Sequence, residues 1–287
     1  VTDVVWSSSN EAVATVSPDG VVSAVGAGEA TVSVTDPTQP SLVSASATIR
    51  VEASVPAPKS GAWKWDGRGW WYRYEDGSYP SSETLVIDGA TYRFDASGYM
   101  RTGWVSEGGQ WYFHAASGAQ ASGWVLSGVR WYYLNPDGGA MMTGWVQVGS
   151  AWYYLSPSGG AMATGWLKEG GHWYYLDRTS GAMATGWLRD GASWFFLNPD
   201  SGAMATGWMM IRGTWYYFNP ADGAMVTGWL HRGDSWYYLK ASGAMATGWV
   251  KVGDSWYYLS YSGAMLTGTH TINGRTYVFD ESGAWVR

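Results

Sequence analysis

No cysteine occurs among the 287 residues, so no disulfide can staple the fold. Charge is scarce too: Asp, Glu, Lys and Arg make up 14% of the chain, with a net charge of -6. Lys and Arg are nowhere clustered. That leaves no basic track for a phosphate backbone and argues against nucleic acid as a partner. No segment approaches the roughly 18 apolar residues of a membrane-spanning helix. There is no N-terminal targeting pattern, and the chain opens on Val1 rather than Met, so a processed or excised piece is expected. Histidine is rare: His114, His172, His231 and His270 are dispersed without metal-ligand spacing and are expected on exposed strands or turns. Asp190, Asp234 and Asp254 fall at or near predicted turns, where Asp serves turn geometry. No local carboxylate pair suggests glycoside hydrolysis. We therefore expect no metal, no cofactor and no catalysis from this segment, although a parent protein could carry a catalytic domain elsewhere.

What the chain has in abundance is aromatic rings and glycine. There are 22 Trp and 20 Tyr against 6 Phe, together with 40 Gly. Rings with a polar handle suit surfaces that are half dry and half wet. Many glycines mean many tight turns, and so many short strands.

The rings are periodic. The stretch GAMATGW ends at Trp166, Trp187, Trp208 and Trp249, and close variants end at Trp104, Trp124, Trp145 and Trp229. Successive copies are 20 or 21 residues apart. Seven residues after each comes a second cluster, opening on Trp111, Trp131, Trp152, Trp173, Trp194, Trp215, Trp236 and Trp256. The offset of seven never varies, while the one-residue slippage falls after the second cluster. A fixed offset around a Gly-containing turn is what a β-hairpin demands, because one added residue would flip every side chain to the other face. Slack in the connection between hairpins costs little. A lone hairpin is marginally stable, so neighbours must stack to bury their aromatic faces. The fold class expected is all-β, a solenoid of about eleven hairpins, eight of them with the full Trp pair. In the terminal segments 84–94 and 269–279, Thr replaces each Trp, at Thr84, Thr91, Thr269 and Thr276.

Residues 1–54 have another texture. Val, Thr, Ala and Ser alternate at period two, and SPDG marks a tight turn between apolar runs. The order WSSSN, ATV, DGVVSA and GAGEATVSV resembles the bacterial immunoglobulin-like domain, group 2. The resemblance covers about the last two thirds of that domain and implies a partial sandwich with exposed edges or unusual pairing. Residues 55–62, with Pro56 and Pro58, read as a linker, and 63–287 as the repeat region.

The unit TGWLKEGGHWYYLDRTSGAMATGW resembles the choline-binding, or cell-wall-binding, repeat of Gram-positive surface proteins, and GWWYRYEDGSYP resembles the first repeat of such arrays. The resemblance implies a left-handed superhelix and a secreted module at the cell surface or wall of a Gram-positive bacterium. Its expected role is anchoring or adhesion through choline or phosphocholine on teichoic acid-like polymers. It also implies ligand cages between successive hairpins, walled by both Trp of one repeat and a Tyr of the next, with a connector Met closing the site. Carried over by position, the expected cages are Trp104, Trp111 and Tyr133; Trp124, Trp131 and Tyr154; Trp145, Trp152 and Tyr175; Trp166, Trp173 and Phe196. Trp187, Trp194 and Tyr217 follow, then Trp208, Trp215 and Tyr238, then Trp229, Trp236 and Tyr258. Gln120 stands for the Met of the first, and Val278 is expected to cripple an interface behind Trp249 and Trp256. Related repeats bind α-glucans or host glycans, which is the alternative ligand class; a spacer rod, in which the rings serve only as core, is the other. Pairing of two chains through terminal hairpins is a further expectation.

Overall fold

A computed structural model describes residues 4–37, 43–51 and 60–287. Among these there is no helix, so none is long and apolar enough to cross a membrane. The chain forms two compact units, Val1–Arg101 and Thr102–Arg287.

The first unit begins with five strands. β1 (Val5–Ser8), β4 (Gly28–Thr35) and β5 (Val43–Val51) form an antiparallel sheet in the order β1-β4-β5, and β2 (Ala14–Val16) pairs with β3 (Val22–Ala24). The two sheets close over a small core of Val13, Ala14 and Ala30, with Ile49 and Val51 against it. SPDG makes the expected turn: the Gly20 amide donates to the Ser17 carbonyl at 2.9 Å, and φ at Gly20 is 86°. The strands β1 and β5 are left as edges, as a partial sandwich implies. Of the expected linker, residues 55–59 lie outside the described residues, and Gly61 already opens β6 (Gly61–Trp65). Two hairpins complete this unit, 61–74 and 84–93.

The second unit is a hairpin solenoid of nine, spanning 103–114, 123–134, 144–155, 165–176, 186–197, 207–218, 228–239, 248–259 and 268–279. Their register is invariant, with Gly123 opposite Leu134, Trp124 opposite Tyr133 and Leu126 opposite Trp131 in the second hairpin, and likewise in the others. Two-residue turns set it. Gly108 and Gly109 both have positive φ, as do Asn273 and Gly274, which suits the right-handed twist of the flanking strands.

The glycine that opens each hairpin's first strand has a backbone reason. Gly103 to Gly268 in this position take φ between 72° and 81°, a region that L side chains enter at a cost. Opposite it lies the deepest core residue. Leu134, Leu155, Leu176, Leu197, Phe218, Leu239 and Leu259 are fully buried, one per hairpin. In the first hairpin that position is His114, also fully buried, with Nδ1 2.8 Å from the Gly118 carbonyl oxygen. The expectation of exposure fails for His114 because it occupies a leucine's place. His172 and His231 are exposed.

Successive hairpins are joined through the connectors. The Met162 amide, following the third hairpin, donates to the Trp131 carbonyl of the second at 2.8 Å. Met183 and Trp152, Met204 and Trp173, and Met225 and Trp194 repeat this at 2.7–2.8 Å.

Candidate functional site: aromatic corners between hairpins

Alternation along a strand decides which rings meet. Trp124 and Tyr133 are cross-strand partners on one face of their hairpin, and Trp131 shares that face because it lies two residues from Tyr133. The two Trp rings stand nearly at right angles, 6.4 Å apart at 88°. The same corner recurs at Trp166–Trp173, Trp187–Trp194, Trp208–Trp215, Trp229–Trp236 and Trp249–Trp256, with centroids 6.3–6.5 Å apart. The following hairpin presents its opposite face. Tyr153 therefore meets Trp124, at 4.8 Å and 69°.

This corrects the third wall of every expected cage by one residue. Against Trp104, Trp145, Trp166, Trp187, Trp208 and Trp229 the structure places Tyr132, Tyr174, Phe195, Tyr216, Tyr237 and Tyr257, at 4.7–5.0 Å. Tyr133, Tyr154, Tyr175, Phe196, Tyr217, Tyr238 and Tyr258 instead pack against the Trp of their own hairpin, at 4.9–5.2 Å. A shift of one residue along a strand exchanges the faces.

The same parity rescues the last interface. Val278 points away from Trp249, and Tyr277 takes the wall at 4.9 Å. Trp285 stands where other repeats have Met: its amide donates to the Trp256 carbonyl at 2.7 Å, and its ring lies 5.9 Å from Trp249. Nor is Gln120 the lid of the first corner; that residue is Met141. A further corner escaped the sequence reading. In the first unit Trp63 and Trp70 have the same offset of seven, Tyr92 lies 4.9 Å from Trp63, and the Met100 amide donates to the Trp70 carbonyl at 2.7 Å.

The corners at Trp104, Trp124, Trp187 and Trp229 open into clefts built from three consecutive repeats. Trp124 and Trp131, Tyr153 and Met162, then Thr179 and Ser180 of the next connector line one of about 300 Å³. Trp187, Trp194, Tyr216, Met225, Ala241 and Ser242 line another of about 410 Å³, and Trp229, Trp236, Tyr257, Met265, Glu281 and Ser282 a third of about 310 Å³. The second-cluster Trp rings keep 39–46% of their surface exposed although the leucines beside them are sealed. No group of three or more His, Cys, Asp or Glu able to hold a metal occurs among the described residues.

The lid is locked by glycine. A Cβ on Gly181 would lie 2.4 Å from the Met162 sulfur, and φ there is 75°. Gly181→Ala is expected to destabilise the chain by about 1–3 kcal/mol in urea unfolding, through strain and displaced Met162. Gly159→Ala, where φ is ordinary and nothing lies within 4 Å, should be near neutral. Equal effects from both would contradict the lock.

Polar edges surround the rings. The Trp166 indole donates to Asp190 at 2.9 Å, and the Tyr154 hydroxyl to Glu169 at 2.9 Å. Burial, then the bond to Glu169, pushes the Tyr154 phenol up. Asp190 thus serves the face between hairpins, not turn geometry as its position suggested. Asp177 does cap a connector turn, and amide donation from Ser180 holds its carboxyl below the usual value.

Comparison with known sequences agrees with this geometry. A choline-binding repeat profile matches residues 102–143, 142–187, 205–247, 226–269 and 246–287, more than half of the chain. The chain belongs to the choline-binding repeat family. A cell wall binding repeat profile also matches 185–204, and the bacterial Ig-like domain (group 2) matches 1–46. No curated protein sequence matched. Among solved structures, this choline-binding repeat protein is similar to CbpJ of Streptococcus pneumoniae, at 34% identity and TM-score 0.60, over 79% of this chain and 94% of that one. It is also similar to choline-binding protein F of the same species, solved in the presence of a peptidoglycan analogue, at 31% identity and TM-score 0.57 over 79% and 93%. The modular autolysin LytC of Streptococcus pneumoniae matches at 30% identity and TM-score 0.55, over 79% of this chain and 52% of that one.

Proposed function

We propose that this chain is a non-catalytic anchoring module that binds choline or phosphocholine groups of a cell-surface polymer in the aromatic corners between hairpins. The observation that carries the reading is the exposed second-cluster Trp. Core packing would seal that ring, yet it keeps 39–46% of its surface open; in the corner of Trp187 and Trp194 both rings are exposed, at right angles, facing Tyr216 and Met225 of the next repeat. A quaternary ammonium has no hydrogen to donate and is held instead by ring faces, at about 0.5–2 kcal/mol per face. Three faces, less the cost of association, give roughly millimolar affinity. Tight attachment then comes from many corners on one array meeting a polymer with repeated ligands. Placement at a bacterial cell surface follows from that ligand.

Calorimetric titration with choline chloride and, separately, with dextran oligosaccharides tests the reading. Choline should bind at several sites near millimolar concentration, quench Trp fluorescence and raise Tm. Saturation by the glucan with no response to choline would replace the proposed ligand; inertness to both would leave a spacer.

A further inference from the structure

The last residue of each hairpin's first strand varies in charge against an invariant aromatic background. It reads Ser127, Val148, Glu169, Asp190, Ile211, Arg232 along hairpins two to seven. In each case the structure records, this side chain reaches back to a ring of the preceding hairpin. Ser127 accepts the Trp104 indole N–H at 3.1 Å, Asp190 that of Trp166, and Glu169 the Tyr154 hydroxyl. Where the preceding ring is Phe196, with no polar atom, the residue is Ile211, packed into the same apolar cluster. Arg232 places its guanidinium 5.0 Å over the Tyr217 ring.

These rings are buried, Tyr154 at 5% and Tyr217 at 4% exposure, and brace the corner Trp of their own hairpins. Tyr154 lies 5.1 Å from Trp145, and Tyr217 lies 5.1 Å from Trp208. We propose that this position is a specificity determinant that grades successive corners in their preference for a cation: Glu169 favours a cationic group against Trp145 and Trp152, and Arg232 disfavours one against Trp208 and Trp215. A carboxylate at the hydroxyl end of the ring that braces Trp145 adds Coulomb attraction for a cation held against that Trp. A guanidinium over the ring that braces Trp208 repels such a cation. The corner at Trp166 is graded less sharply, because Arg178 lies 3.3 Å from Asp190 and the Lys168 ammonium 5.9 Å from the Trp173 ring centre. The array would then hold strong and weak sites in a fixed order, the strong one at its third hairpin and the weak one at its sixth.

This inference rests on the choline reading, and one experiment separates the two. The full chain, labelled with ¹⁵N at its indoles, is titrated with choline and with 3,3-dimethylbutan-1-ol, its uncharged isostere, while the Trp145 and Trp208 indole signals are followed. Glu169→Gln should weaken choline at Trp145 about three- to tenfold, and Arg232→Gln should tighten it at Trp208 by a similar factor. Neither change should alter the response to the alcohol. A merely structural role for these side chains would move choline and the alcohol together and in the same direction for both variants. Choline affinities unchanged in both variants, or shifted equally for the alcohol, overturn the grading while leaving the corners as sites. No choline response at either indole in the unaltered chain overturns the corner reading, and the grading with it.

Discussion

Tyr174→Ala should weaken choline at the corner formed by Trp145 and Trp152 by about 2–30-fold, the loss of one ring face. Tyr174 lies 4.9 Å from Trp145 at 66°, so its removal also frees the Trp ring it braces. Its neighbour provides the contrast. Tyr175 packs 5.2 Å from Trp166, on the opposite face of the hairpin. Tyr175→Leu should leave the Trp145 corner unchanged and act on the Trp166 corner instead. Binding read at the two indoles separates the variants. If Tyr175→Leu weakened the Trp145 corner and Tyr174→Ala did not, the strand parity described here would be wrong.

Leu197→Ala should be among the most destabilising single changes to the second unit. Leu197 is fully buried opposite Gly186, where no side chain could swing in to fill the space. Loss of transfer free energy plus a residual cavity costs about 2–5 kcal/mol at such sites. In a stacked array each repeat touches its neighbours alone, so the damage should be local. Amide exchange should quicken in 165–218 and stay slow in 248–279. Uniform quickening along the unit would show that the hairpins unfold as one body.

Much of this architecture could be read from spacing. The constant seven-residue offset, with slippage confined to the connectors, is the trace of a fixed hairpin register, and each Trp pair does meet on one face. The parity of the tyrosines was missed because both residues after the second Trp are aromatic in the repeats from Trp131 on, so composition cannot rank them. Counting could have. A two-residue turn pairs Ser127 with Arg130 and hence Trp124 with Tyr133, which puts Tyr133 on its own hairpin's Trp face. His114 hid for a different reason: polarity suggested exposure, whereas alignment with Leu134 would have placed it in the core. The terminal hairpin is instructive in the same way. It lacks its own Trp pair, at Thr269 and Thr276, yet supplies Tyr277 to the corner before it. A hairpin serves two interfaces with opposite faces, so losing one set of rings spares the other.

The bonds between hairpin faces, from Trp166 to Asp190 and from Tyr154 to Glu169, were beyond the sequence, since they join residues 24 and 15 positions apart across separate hairpins. Only the stacking brings them together.

The most direct measurement is a crystal structure of the full chain at saturating choline. A trimethylammonium group is expected in the corner of Trp187 and Trp194, against Tyr216 and beside Met225, and in its equivalents along the array. Empty corners, with choline bound elsewhere or nowhere, would contradict it.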